Sequence, residues 1–267
     1  MTVHPALGML LVGASFATLI VSLRALRDAR GVNPELLRKL VHLGMGVVSL
    51  GLPWLFDTQR PVLLLAGAFA GGLLAGRSSA CLRRIAGGIL WGVRRPSAGD
   101  LCFPAAVALV FALSAGRASH FCVPILTLTF ADAAAALVGT RYGAHRVGRP
   151  GKQKSLEGSA AFCLLAFPCA YVPLLVWPEG GWAWTLLLSL NLAALLTLVE
   201  AASGNGLDNL TVPLAALLLL RTLSRGDVWL LALCATLTTV VVLLLAWRGL
   251  HGVRVSPATS EVIHEPV

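Results

Sequence analysis

The chain has 267 residues, 57% of them hydrophobic and only 12% charged, with a mean hydropathy of +0.82. A soluble domain carries about twice that charged fraction, so the composition excludes a water-soluble globular protein and points to a membrane protein. The net charge of +9 lies in short basic clusters between apolar runs; with no aromatic-interleaved basic domain beside them, nucleic acid is not the expected partner, and anionic lipid headgroups and phosphates are.

In chain order, apolar runs long enough to cross about 30 Å of hydrocarbon fall at 5–23, 40–56, 61–76, 101–115, 121–139, 159–177, 182–200, 210–224 and 228–247. Backbone amides in lipid must find partners inside their own segment, so these nine runs predict an all-α, polytopic bundle forming one domain over 1–252. The first run has no basic residue before it and Arg24, Arg27 and Arg30 after it. That order is the reverse of a signal peptide, and the run is expected to stay as a span.

Of the 21 basic residues, all but Arg60, Arg117, Arg221 and Arg225 fall on one face of the resulting topology. The positive-inside rule then sets the N-terminus outside and the C-terminus in the cytoplasm, as expected for a bacterial inner-membrane protein. Segment 77–95 mixes apolar residues with five arginines and predicts an amphipathic helix in the cytoplasmic interface. The tail 253–267 is polar and expected to be disordered. Gly67, Gly71, Gly72 and Gly76, and the alanines at 133–136, predict small faces for close helix approach. The six cysteines show no CxxC spacing and read as packing residues.

Four polar constellations collect at the cytoplasmic ends of these runs. In the first, Asn33 is an N-cap and Pro34 a first helical residue, which puts Arg38 and His42 one turn apart on one face with Lys39 beside them. In the second, Asp132 lies well inside the fifth run. A carboxylate at that depth costs roughly 3 kcal/mol, so it is expected to face a polar cavity or an ion-pair partner. The third runs from Arg141 through Gly143, His145, Arg146, Gly148, Lys152, Lys154, Ser155 and Glu157 to Gly158 and Ser159. It offers backbone N–H groups and cations to phosphates at a helix entrance, yet it is no P-loop, because Arg149-Pro150 stands where Lys-Ser/Thr is required. The fourth, Glu200 to Pro213, has no Lys or Arg and carries Glu200, Asp208 and Asn209; it suits a cation or sugar hydroxyls, or simple helix capping.

Together the four offer complementary parts. Asp132, Glu157, Glu200 and Asp208 can hold Mg²⁺ with substrate phosphates, and Arg38, Lys39, Arg146, Lys152 and Lys154 can neutralise a polyphosphate. Such a composition suits phosphoryl transfer, which needs positioning and charge stabilisation above all.

Arg38-Lys39-Leu40-Val41-His42, Asp132 through Gly143, Lys154-Ser155-Leu156-Glu157-Gly158-Ser159-Ala160, and Glu200 followed by Asp208-Asn209-Leu210-Thr211-Val212-Pro213 resemble, in order and spacing, the polyprenol kinase family. This family includes phytol, farnesol and dolichol kinases and a CTP-dependent diacylglycerol kinase. Ser97-Ala98-Gly99-Asp100 looks like the place where phytol kinases carry Gly-Glu, with Asp here for Glu. Chain length and the Asp-Asn-Leu-Thr-Val-Pro stretch are closer to the phytol kinase branch, from which the insert-like Gly204-Asn205-Gly206 departs.

The resemblance implies a multi-span kinase that moves the terminal phosphate of CTP or ATP to an isoprenoid alcohol, with Mg²⁺ or another divalent cation. Phytol, geranylgeraniol, farnesol and a polyprenol are the acceptors it suggests. It implies catalytic roles for Asp132, Asp208, Glu157, Arg38 and His42, metal ligation by Asp132, Glu157, Glu200 and Asp208, and nucleotide or phosphate contacts from Lys39, Arg141, His145, Arg146, Lys152, Lys154, Ser155, Gly158, Ser159 and Asn209. Two alternatives remain at this level. A CDP-lipid cytidylyltransferase would combine CTP, Mg²⁺ and a lipid in the same way, and an ion-coupled small-anion transporter would explain Asp132 and His42.

Overall fold

A computed structural model describes residues 4–78, 99–147, 153–204 and 206–252. The expected interfacial helix at 77–95 lies outside these residues except for its first two, and the tail at 253–267 and Lys152 lie wholly outside. Helices make up nearly all of what is described: α1 Pro5–Arg30, α2 Pro34–Leu50, α3 Leu52–Leu55, α4 Gln59–Ser78, α5 Gly99–Leu113, α6 Ala118–Leu126, α7 Asp132–Tyr142, α8 Leu156–Val176, α9 Trp182–Ala202, α10 Asp208–Leu223 and α11 Val228–Gly252. A π-helical segment, Thr127–Ala131, joins α6 to α7, and a two-stranded hairpin of β1 Arg146–Val147 and β2 Lys154–Ser155 precedes α8.

Seven helices among the described residues are long and apolar enough to cross a membrane. The runs at 101–115 and 210–224 form helices α5 and α10 of 15 and 16 residues, shorter than these seven spans. Local signals set the ends. The α1 helix stops at Gly31, whose φ of 58° is left-handed and whose N–H bonds Arg27 O; this is the αL helix end that glycine adopts without steric cost. Helix α2 starts at Pro34, with its first bond from the Leu37 N–H to Asn33 O at 3.0 Å.

Burial separates the spans. In the continuous stretch Ala118–Tyr142, 67% of the most apolar window is buried, against 17% in α1 and 11% in α11. That stretch is the axis of the bundle. On one side it meets an apolar cluster that includes Leu37, Val41, Met45, Phe103, Phe121 and Leu128. On the other it meets a second cluster including Ala131, Phe162, Leu188, Leu192, Val212 and Leu220. Large apolar side chains on the outer helices, such as Leu164, Trp229 and Leu243, are exposed, as expected of surfaces that face lipid.

Close approach occurs where glycine permits it, although not everywhere the sequence suggests. A Cβ on Gly158 of α8 would lie 2.8 Å from Ala135 O and 3.3 Å from Gly139 Cα, so α7 and α8 cross backbone to backbone. Gly46 of α2 abuts the Thr129 side chain in the same manner. By contrast, a Cβ on Gly67, Gly71 or Gly72 of α4 would meet nothing within 4 Å. Among the described residues these three glycines pack against no neighbour, whereas Gly76 of the same run is buried: periodicity marks a small face but not how much of it a partner covers.

Candidate active site

The axial stretch carries the first candidate functional side chain. Within it Pro124 sits inside the helix without an N–H to donate, and the hydroxyls of Thr127 and Thr129 bond back to Val123 O at 2.9 Å and Ile125 O at 2.6 Å. The turn then widens: the Asp132 N–H reaches Thr127 O, five residues back, instead of Leu128 O. Such π segments are frequent at functional sites. This one is followed at once by Asp132, 7% exposed.

The Gly46–Thr129 contact draws α2 against this segment, and His42, one turn earlier on α2, donates from Nε2 to Leu128 O at 3.0 Å. The same nitrogen lies 3.9 Å from Asp132 Oδ2, too far for a hydrogen bond and near enough for strong electrostatic interaction. Phe103 of α5 packs edge-on against the imidazole, with ring centroids 5.2 Å apart. Arg38 and Lys39 are half-buried on the preceding turn, close enough for their charges to act on His42.

Two further acids converge on Asp132 from helices remote in sequence. One carboxylate oxygen each from Asp132, Glu200 and Asp208 lies within 4.8 Å of the others. Glu200 ends α9 and is 2% exposed; Asp208 opens α10 after a turn in which Gly206 adopts a φ of 82°. Lys154 of β2 bonds both, pairing with Glu200 Oε1 and lying 3.1 Å from Asp208 Oδ2. Burial works against the Lys154 charge, but the Glu200 and Asp208 carboxylates outweigh it and hold its pKa above the usual lysine range. Glu200 Oε2 is buried with no hydrogen-bond partner. An orphaned carboxylate oxygen at such depth is costly, and together with two neighbouring carboxylates it forms an all-oxygen donor set that fits a hard divalent cation such as Mg²⁺.

The other sequence-predicted residues take distinct places. Glu157 does not join the three acids. It accepts from the His145 backbone N–H at 3.1 Å and pairs with His145 Nδ1 at 2.7 Å, pinning the hairpin to the start of α8. Ser155 is the N-cap of α8, its Oγ accepting from the Gly158 N–H at 3.1 Å. Gly158 is occupied by the α7–α8 crossing described above, and Ser159 beside it is half-buried. Arg146 is exposed on β1, and Arg141 is exposed at the end of α7 with its guanidinium 5.4 Å from the Tyr142 ring centroid. Asn209 donates from Nδ2 to Gly99 O at 3.0 Å. This bond ties the Asp208 turn to the first residue of α5, part of the Ser97–Asp100 stretch.

The structure therefore brings together Asp132, Glu200, Asp208, Lys154 and His42, with the His145–Glu157 hairpin at the start of α8. Sequence reasoning did not include Phe103, the Leu128 carbonyl or Gly99 O. A π segment leaves no periodic signature, and a backbone carbonyl carries no residue type to read.

No family model matches this chain, and no solved structure matches it significantly. It is similar to the phytol kinase of Synechocystis sp., with 31% identity over 209 residues, covering 77% of this chain and 87% of that relative.

Proposed function

Because the chain belongs to the phytol kinase family of polyprenol kinases, we propose that it transfers the terminal phosphate of CTP or ATP to an isoprenoid alcohol such as phytol, geranylgeraniol, farnesol or a polyprenol. It is a membrane-embedded lipid-alcohol kinase, a phosphotransferase with an alcohol as acceptor. The observation that carries the site assignment is the convergence of Asp132, Glu200 and Asp208 around a buried, unpartnered Glu200 oxygen.

Geometry favours a division of labour among the acids. Glu200 and Asp208 are already held by a cation, Lys154, and with Asp132 they would hold Mg²⁺. When bound there, the metal supplies charge neutralisation for the nucleotide phosphates. Asp132 is the member next to His42, and takes the proton from the acceptor hydroxyl, with His42 fixing its orientation electrostatically. The alcohol oxygen then forms a bond to the terminal phosphorus as the bond from that phosphorus to the bridging oxygen breaks, and the nucleoside diphosphate leaves. Lys154 neutralises Glu200 and Asp208, and its ammonium lies where it can also bond phosphate oxygens. Arg38, Lys39, Arg146 and Lys152 add positive charge along the polyphosphate.

The alternation of basic residues supports nine spans, with this end of the bundle in the cytoplasm of a bacterial inner membrane, where nucleotides are available. An assay with γ-labelled CTP or ATP, Mg²⁺ and a panel of phytol, farnesol, geranylgeraniol, a long polyprenol and diacylglycerol tests the reading. Label in a lipid with release of nucleoside diphosphate supports it. Release of pyrophosphate would make the protein a cytidylyltransferase instead.

A further inference from the structure

Apart from the polar site, the described residues enclose an apolar cavity of about 290 Å³ between α1, α2, α4 and α5, at the small end of ligand pockets. Gly13, Phe16, Met45, Ala66, Phe69 and Phe103 are among its walls. It holds no charged side chain, and the hydroxyl of Ser49, its polar member, is turned back onto Met45 O at 2.8 Å. Such a lining can recognise only hydrocarbon.

Two features join this cavity to the phosphoryl-transfer site. Phe103 belongs to both, forming the cavity wall on one side and packing against the His42 imidazole on the other. On α2 the cavity wall begins at Met45, one turn past His42, and continues to Ser49, so the cavity starts about 5 Å beyond His42 along the helix and reaches about 10 Å beyond it, toward the middle of the hydrocarbon. The opposite end is open: Gly13 and Ala68 line the cavity and are exposed on the outer surface of the bundle, where apolar surface meets lipid. A chain can therefore enter sideways from the bilayer with its polar end toward Asp132.

We propose that this cavity holds the isoprenoid chain of the acceptor alcohol and that Phe103 guides the hydroxyl-bearing end to His42 and Asp132. The inference rests on the lipid-alcohol kinase reading and adds the place where the acceptor's length is measured. A Cβ on Gly13 meets nothing within 4 Å, so the first atom of a larger side chain has room there.

The test compares phytol with the five-carbon prenol, whose chain ends near the cavity mouth, in full-length wild type, Gly13→Phe and Ala66→Phe, with thermal stability followed in the same detergent. Filling the cavity is expected to lower kcat/KM for phytol at least about tenfold, the scale on which hydrophobic pockets discriminate chains, and to leave prenol within about threefold. Equal effects on both alcohols, or none on either, in stable variants would overturn the cavity assignment alone. If wild type labels no alcohol at all, the kinase reading falls and the assignment with it. A photoreactive phytol analogue gives an independent readout. Attachment to peptides of α1, α2, α4 or α5, competed by phytol, is expected; attachment elsewhere, as to a passively bound lipid, would overturn the proposal.

Discussion

Near each end of the axial stretch Ala118–Tyr142 a histidine faces a carboxylate, His120 with Glu179 and His42 of α2 with Asp132, and their difference separates the proposed reactive site from a clasp. About 20 Å from Asp132 by helix rise, Glu179 sits among donors. Ser119 Oγ donates to its Oε1 at 3.0 Å, His120 Nδ1 lies 3.5 Å from the same oxygen, and Arg117 Nη1 lies 3.6 Å from Oε2. One acid meets several donors, and neither oxygen is left alone. At the Asp132 end three acids share Lys154 and the nearby His42, and a buried Glu200 oxygen has no partner. A saturated network holds helices in place, whereas an unsaturated one is arranged for a ligand that is not protein.

The comparison is broken most directly by Asp132→Asn. Loss of a positioned base typically costs 10²–10⁴-fold in rate, so turnover should fall at least about 100-fold with little change in melting temperature. Near-normal activity would remove Asp132 from the chemistry. Next in size, Lys154→Met leaves the Glu200 charge without its counterion; removing one partner of a buried pair costs about 3–5 kcal/mol. Thermal unfolding in detergent should show that loss, and excess Mg²⁺ should restore part of it if the acids bind metal. A variant as stable as wild type would mean that Lys154 is not the counterion.

The same pair sets a pH dependence. The Lys154 pKa is raised in the folded protein, so its stabilisation is fully present below the ordinary lysine value of about 10.4 and is lost as pH rises through the raised value. Wild type should lose stability in that alkaline window, and Lys154→Met should lose less. At the other end, Glu179→Gln should cost about 1–3 kcal/mol of stability while leaving the alcohol kinase rate of the folded protein near wild type. A rate loss at Glu179 as large as at Asp132 would erase the distinction between the two ends.

Much of this was legible in the sequence because the physics was local. Long apolar runs locate the helices, and acids at Asp132, Glu200 and Asp208 stand out because charge beside hydrocarbon is costly. Pairings were not legible. Lys154 reaches partners 46 and 54 residues away, and no spacing rule connects a hairpin to the end of α9 and the start of α10. Glu157 read as a metal ligand by type, yet its nearest partner is His145 across the hairpin. Gly143 and Gly158 read as phosphate-loop glycines, whereas their missing side chains make room for Ser155 and for the α7–α8 crossing.

The most direct measurement follows phosphate label from γ-labelled CTP or ATP into phytol with wild type, Asp132→Asn and Glu179→Gln purified side by side in detergent with Mg²⁺. Label is expected in the lipid with wild type and Glu179→Gln and absent with Asp132→Asn. Full labelling by Asp132→Asn, or labelling lost only in Glu179→Gln, would contradict the assignment of the active end.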